Sequence, residues 1–325
     1  MSPTEKTIAC IGGVVMDRKV RAEGEFRPGT SNPVTVTSNP GGVAANIAQC
    51  LGRLRCPVEI FSIFGSDGSG NTIQHVLKLA HVGIRQLSRS RAHPTANYSA
   101  LLQPDGELFI GLADMAIFDD LDPAWADRVA PRLKEHAVWV LDANLPAATI
   151  ERLLLHHKGR ATVLADPISI AKSTRFRRAL AAVDVLFPNR KEAAELTRQP
   201  VESREDVIQA AAKLRRLGVG TVVLTLGSEG VYIDDSRSGR FLPAIPPKKV
   251  VDVTGAGDAL VAGYAYGILR PGAYEPAVLG LAAASLAVES TESVPPDLQP
   301  ERLLERTESY VRRRKRDESV PRNSA

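Results

Sequence analysis

The residues whose types and spacing best suit chemistry lie in VDVTGAGDALVAGY, Val251–Tyr264. Gly255 and Gly257 let the backbone take positive φ and approach a ligand closely. A helix starting at about Gly257 would aim unpaired N–H groups and the positive end of its dipole at an anion. Asp258 adds a negative charge there, where it would repel an anion unless it has a task. Taking a hydroxyl proton while the Gly255, Ala256 and Gly257 amides hold a phosphoryl group is such a task. Alone, the same residues equally suit an Asp that caps a helix after a glycine turn. Val250, Val251, Val253 and Thr254 predict a strand leading in.

DVTGAGDA resembles the D-T-x-G-A-G-D signature of the ribokinase-type (PfkB) sugar and nucleoside kinases, with Val253 inside the variable part. The resemblance implies ATP-dependent phosphoryl transfer with Asp258 as the base. It also implies an α/β fold, a ribokinase-like three-layer αβα core with a mostly parallel sheet, plus a small β-sheet lid. The family's other blocks occur in order from Thr7 to Leu304.

Thr7–Gly13 (TIACIGG) reads as a buried strand ending in paired glycines, with Asp17 beyond it at the end where α/β sheets bind ligands. In the resembled family this Asp bonds sugar hydroxyls. NPGGVAANIAQCLGRL puts Gly41 and Gly42 before a helix striped by Val43, Ile47, Leu51 and Leu54. Asn46, one turn in, resembles the substrate-binding Asn of the family's GGxxxN motif. Gly65, Asp67 and Gly70 match its G-x-D-x-x-G motif.

In PNRKEAAEL, Asn189 and Glu192 can share a helix-start face, either as a capping box or as the family's N-x-x-E motif. That motif holds hydrated Mg²⁺, for which one carboxylate and one amide suffice. The resemblance further implies nucleotide contacts at Asn189, Thr225, Gly227, Gly230, Thr254 and Gly257. Lys172 or Arg175, in DPISIAKSTRF, could reach a phosphate. The resemblance also makes Asp252, with the loop Thr291–Val294, a candidate site for a monovalent cation, K⁺.

Short apolar runs at Val58–Gly65, Val138–Leu141, Thr162–Ala165, Val183–Phe187 and Thr221–Leu226 alternate with helical segments, as in a parallel sheet. Residues 1–311 read as a single kinase domain with lid segments at about 18–39 and 95–116. Residues 312–325 read as a basic, disordered tail. With 44% hydrophobic residues the chain can fill a large core, and a net charge of +4 is too small for a dedicated nucleic-acid binder. Cys10, Cys50 and Cys56 lack metal-ligand spacing and cannot all pair, which suits a reducing cytosol. No run of about 18 apolar residues and no signal-peptide core occur, so the expectation is a cytoplasmic protein without membrane or nucleic-acid partners. A homodimer through the lid is expected.

Within the family, the segments GTSNPVTVTSNPGGVAANIAQCLGRL, PDGELFIGLADMAIFDDL, DANLP and DPISIAKSTRF together most resemble pseudouridine kinases, with departures at Val34, Ala45, Gln49-Cys50 and Ala116. The expected reaction is phosphorylation of the pseudouridine 5′-hydroxyl. Asp17, Gly41, Gly42 and Asn46 would hold the ribose, and Ser31, Asn32 and Thr37 the base. The alternatives are a kinase for another nucleoside or free sugar (ribose, adenosine or inosine), and a nucleoside-binding protein without catalysis.

Overall fold

The structure, a computed structural model, describes residues 6–157, 159–272 and 274–319. The first strands are β1 Ile8–Ile11, β2 Val15–Ala22, β3 Val34–Gly41, β4 Val58–Gly65 and β5 Gly83–Ser90. They are followed by β6 Asn97–Leu102, β7 Leu108–Asp114, β8 Val138–Asp142 and β9 Thr162–Asp166. β10 Val185–Leu186, β11 Thr221–Thr225, β12 Val231–Asp234 and β13 Gly239–Leu242 complete the strands. The first helices are α1 Val43–Arg53, α2 Gly68–Leu79, α3 Pro123–Leu133, α4 Ala147–His157 and α5 Ile170–Ser173. The others are α6 Arg190–Thr197, α7 Arg204–Arg216, α8 Ala256–Leu269, α9 Pro276–Ala287 and α10 Pro300–Ser319.

Nine strands form the main sheet in the order β13-β12-β11-β10-β9-β8-β1-β4-β5. From β11 to β5 every neighbour pair is parallel, and β12 and β13 add an antiparallel edge. Strands β1, β4 and β8 are buried along their whole length, because helices cover both faces. One face packs on α1, α2, α8, α9 and α10, the other on α3, α4, α6 and α7. This is the expected three-layer core. The order reverses at β1, which opens a crevice beyond the carboxyl ends of β1, β8 and β9.

A second sheet, β3-β2-β6-β7, branches from the main one after β1 and after β5. Register places Lys19 opposite Thr37 and Ala100, and Asp17 opposite Asn39 and Tyr98, so these residues share one face. The small sheet thus takes Val15–Ala22, Val34–Gly41, Asn97–Leu102 and Leu108–Asp114.

Three local expectations give way. Val250–Thr254 is not a strand: its backbone bonds run from Val251 N–H to the Val288 carbonyl and from Ala256 N–H to the Val253 carbonyl, with no strand partner, and Val250 and Val253 line a cleft. Val183–Phe187 pairs over only two residues. Residues 312–319, expected in a disordered tail, continue α10, and 320–325 lie outside the described residues.

Candidate active site

Asp142, at the end of β8, organises the crevice. Its Oδ2 accepts from the Gly13 and Ala44 N–H groups, each at 2.9 Å, and its Oδ1 from the Asn144 N–H at 2.8 Å. The carboxylate thereby ties the turn after β1 to the first turn of α1, whose N-cap Gly42 has no side chain to do so. A Cβ at Gly12 would fall 2.2 Å from the Asp142 carboxyl carbon. At Gly42, φ is 95° and a Cβ would meet the Gly13 carbonyl at 2.5 Å. The paired glycines therefore bring α1 and β1 together around one buried carboxylate. In the sequence Asp142 is only the first residue of DANLP, because the partners that give it this place lie 129 and 98 residues away.

Asp258 sits in the first turn of α8. Gly255, at φ 81°, occupies the N-cap and no side chain caps the helix. First-turn N–H groups of a helix have no intrahelical partner. Of the three expected anion-hole amides, Ala256 N–H reaches the Val253 carbonyl at 3.3 Å. The Asp258 Oδ2 accepts from Asn46 Nδ2 at 2.8 Å. Burial pushes the Asp258 carboxyl up to about 7, with the Asn46 amide opposing and Asp142 and Asp17 reinforcing. Burial likewise raises the Asp17 carboxyl to about 6, against the pull of Lys19. Asp17 lies against Gly41, where a Cβ would stand 2.0 Å from its Oδ2.

A pocket of about 170 Å³ opens beside Asp258, lined also by Gly257, Asp166, Ile168, Glu192, Asn189 and Thr225. Asp166 is pushed well above the usual carboxylate range by burial and by Asp258, Glu192 and Asp142. In the sequence it is only the first residue of DPISIAKSTRF. Ile168 holds φ 64°, an uncommon state for a β-branched residue, and its N–H donates to Asp166 Oδ1 at 2.8 Å.

Asn189 and Glu192 do form a capping box: Asn189 Oδ1 accepts from Glu192 N–H at 3.0 Å, and Glu192 Oε2 from Asn189 N–H at 2.9 Å. Glu192 is nearly buried, and burial raises its carboxyl against those bonds. Among the described residues no three His, Cys, Asp or Glu side chains are grouped to chelate a metal. An ion here would be held through its waters, which suits Mg²⁺.

A second, mostly apolar cleft of about 320 Å³ adjoins this pocket and shares Thr225, Gly257 and Leu260 with it. Gly227, Gly230, Ile245, Val250, Val253 and Leu281 are among its other lining residues. Thr225, Gly227, Gly230 and Gly257 thus line one cleft. Thr254 instead donates its hydroxyl to Asp252 Oδ1 at 2.7 Å.

Several expected residues are otherwise engaged. Lys172 Nζ donates to Asn144 Oδ1 at 2.6 Å, and Arg175 donates to the Ala143, Asn144 and Leu145 carbonyls, so both brace the loop after β8. Asp252 Oδ2 accepts from Lys19 Nζ at 3.3 Å, which links the lid to the loop before Gly255. Asn32 spends its carboxamide on Arg27 and Thr30 backbone, closing its own loop, and Ser31 is exposed. Thr37 shares the lid face of Lys19 and Asp17.

The sequence profile of the pfkB family carbohydrate kinases matches residues 5–299. The chain belongs to this family. The pseudouridine kinase of Escherichia coli is 30% identical over 258 residues, covering 79% of this chain and 82% of that one. A carbohydrate kinase from Agrobacterium tumefaciens superposes with a TM-score of 0.82 at 31% identity, over 93% of this chain and 97% of that one. Arabidopsis thaliana ribokinase, solved with ribose and ATP, gives 0.83 at 25% identity over 94% and 99%. This pfkB kinase is therefore a phosphotransferase that acts on an alcohol group of a sugar or nucleoside. Among the described residues no helix is long and apolar enough to cross a membrane.

Proposed function

We propose that the protein transfers the γ-phosphoryl group of ATP to the 5′-hydroxyl of pseudouridine. The carrying observation is the Asp258 carboxylate, held by Asn46 at the open end of α8 where the apolar cleft meets the acidic pocket. The apolar cleft suits an adenine ring and the pocket its phosphates. Asp258 accepts the substrate hydroxyl proton, and the first-turn amides of α8 take the charge that gathers on the phosphoryl oxygens. Asp17 and Asn46 orient the ribose. Glu192 and Asn189 hold hydrated Mg²⁺, which offsets phosphate charge when bound. Asp252 is proposed as a ligand for K⁺, in exchange for its bond to Lys19.

The 30% identity to a pseudouridine kinase favours that nucleoside over ribose. The discrimination is assigned to the lid: pseudouridine carries a base N–H that uridine lacks, and an acceptor that the bound base buries but uridine leaves unpaired costs about 1–3 kcal/mol. With Asn32 held in its own loop, the exposed hydroxyls of Ser31 and Thr37 are the lid acceptors for it. Exposed Leu108, Phe109, Ile110 and Leu112 on β7 support a homodimer through the lid. The buried cysteines Cys10, Cys50 and Cys56 suit a cytoplasmic setting.

A coupled ADP-release assay over pseudouridine, uridine, ribose and adenosine tests the reading. The expected kcat/KM for pseudouridine exceeds that for uridine by at least about tenfold. Equal values, or a preference for ribose or adenosine, would defeat the pseudouridine assignment and leave the family activity standing.

A further inference from the structure

Asn46 does something in this structure that substrate binding alone does not require. It is 6% exposed, in the first turn of α1, and its one hydrogen bond through the side chain is the 2.8 Å contact from Nδ2 to Asp258 Oδ2. Its Oδ1 is buried and has no hydrogen-bond partner among the described residues. A buried amide held by nothing else is placed by its helix for that one contact. The helix is in turn fixed by the Asp142 carboxylate bonded to Ala44, two residues earlier. The chain of support runs from β8 through α1 to the first turn of α8, across 212 residues of sequence between Asn46 and Asp258.

We infer that Asn46 is a positioning residue for the base: its amide occupies Oδ2 of Asp258 and leaves Oδ1 as the oxygen that meets the substrate hydroxyl. This rests on Asp258 being the base. The amide matters because nearly everything else charged around Asp258 is negative. Asp142 from β8, Asp17 from β2 and Asp166 from β9 face it, Glu192 from α6 lines the same pocket, and Cys50 on the α1 side is a thiol that burial keeps protonated. Lys19 and Lys172 are committed to Asp252 and Asn144. Among the described residues Asn46 is the one side-chain donor to this carboxylate, so it fixes orientation and favours the ionised form together.

The test is the pH dependence of kcat and KM for wild type, Asn46→Ala and Asn46→Asp, from about pH 5 to about pH 9.5, beside ADP affinity as a control for folding. Removing the amide should move the acid limb of kcat up by about one pH unit, so that the rate below the limb falls about tenfold and recovers toward high pH. Asn46→Asp keeps the volume and sets a second carboxylate against the first, so its limb should move further in the same direction. ADP affinity should stay at the wild-type value in both. A rise in KM with kcat and its limb unchanged would make Asn46 a substrate ligand only and overturn the inference. So would an equal loss of kcat at every pH. A wild-type protein that releases no ADP with any nucleoside or sugar would instead remove the reading beneath it.

Discussion

Two aspartates at helix starts look alike in sequence, Asp67 in GSDGSG and Asp258 in GAGDA, and the structure separates them. Asp67 is a cap: its Oδ1 accepts from Gly70 N–H at 2.8 Å and Thr95 Oγ1 at 2.6 Å, and its Oδ2 from Thr95 N–H at 2.7 Å. Burial opposes its ionisation, but those donors outweigh it and lower the carboxyl. Asp258 caps nothing, receives one amide bond, faces other carboxylates and is raised to about 7. A carboxylate that the fold satisfies is structural. One that the fold holds but leaves short of donors is available for a proton.

The largest expected effect exchanges the roles. Asp258→Asn should lower kcat by about 10²–10⁴-fold with ADP affinity kept, whereas Asp67→Ala should leave kcat within about threefold and cost about 1–3 kcal/mol of stability. Coupled ADP release and denaturant unfolding read the two. A comparable fall in kcat for Asp67→Ala would erase the distinction.

Next comes the turn that delivers Asp258. Gly255→Ala puts a Cβ 2.0 Å from the Ser293 carbonyl at a φ of 81°, so the helix start must shift. The kcat should fall by about 10–100-fold, while Gly68→Ala near Asp67, where nothing lies within 4 Å, should be silent. Wild-type kcat in Gly255→Ala would mean that the anion-binding turn is not needed.

Glu192→Gln is expected to raise the Mg²⁺ concentration for half-maximal rate by about tenfold. An unchanged Mg²⁺ dependence would reduce Glu192 to its capping box.

The smallest effect is on stability, with opposite signs for the two aspartates. Asp258 is raised in the folded state, so its contribution is full below the unfolded value near 4 and is lost as pH rises through about 7. Asp67 is lowered, so its contribution is present above the unfolded value and is lost as pH falls. Asp258→Asn should therefore stabilise the free protein by about 1–3 kcal/mol at pH 8 and by less at pH 5. Thermal melts at the two pH values check it, and destabilisation at pH 8 would contradict the raised carboxyl.

Much of this was legible in the sequence because it is local. Buried parallel strands announce themselves as unbroken apolar runs such as Val58–Gly65, and glycine pairs before Asp258 and Asn46 mark close approaches. Val250–Thr254 misled because valines that line a ligand cleft have the same composition as valines in a strand. The β12–β13 edge and the self-closing Asn32 loop depend on partners that no spacing rule reveals. The bond from Asn46 to Asp258 and the grip of Asp142 on Gly13 and Ala44 are long-range. Sequence showed each residue as a candidate or a loop member, but not that they form one support.

The most direct test of Asp258 as the base is the pH profile of kcat for wild type and Asp258→Asn at saturating ATP and nucleoside. In wild type the rate should fall about tenfold per unit below the acid limb, and in Asp258→Asn the residual rate should be level across the same range. An Asp258→Asn profile that keeps the wild-type acid limb would place the essential base on another residue.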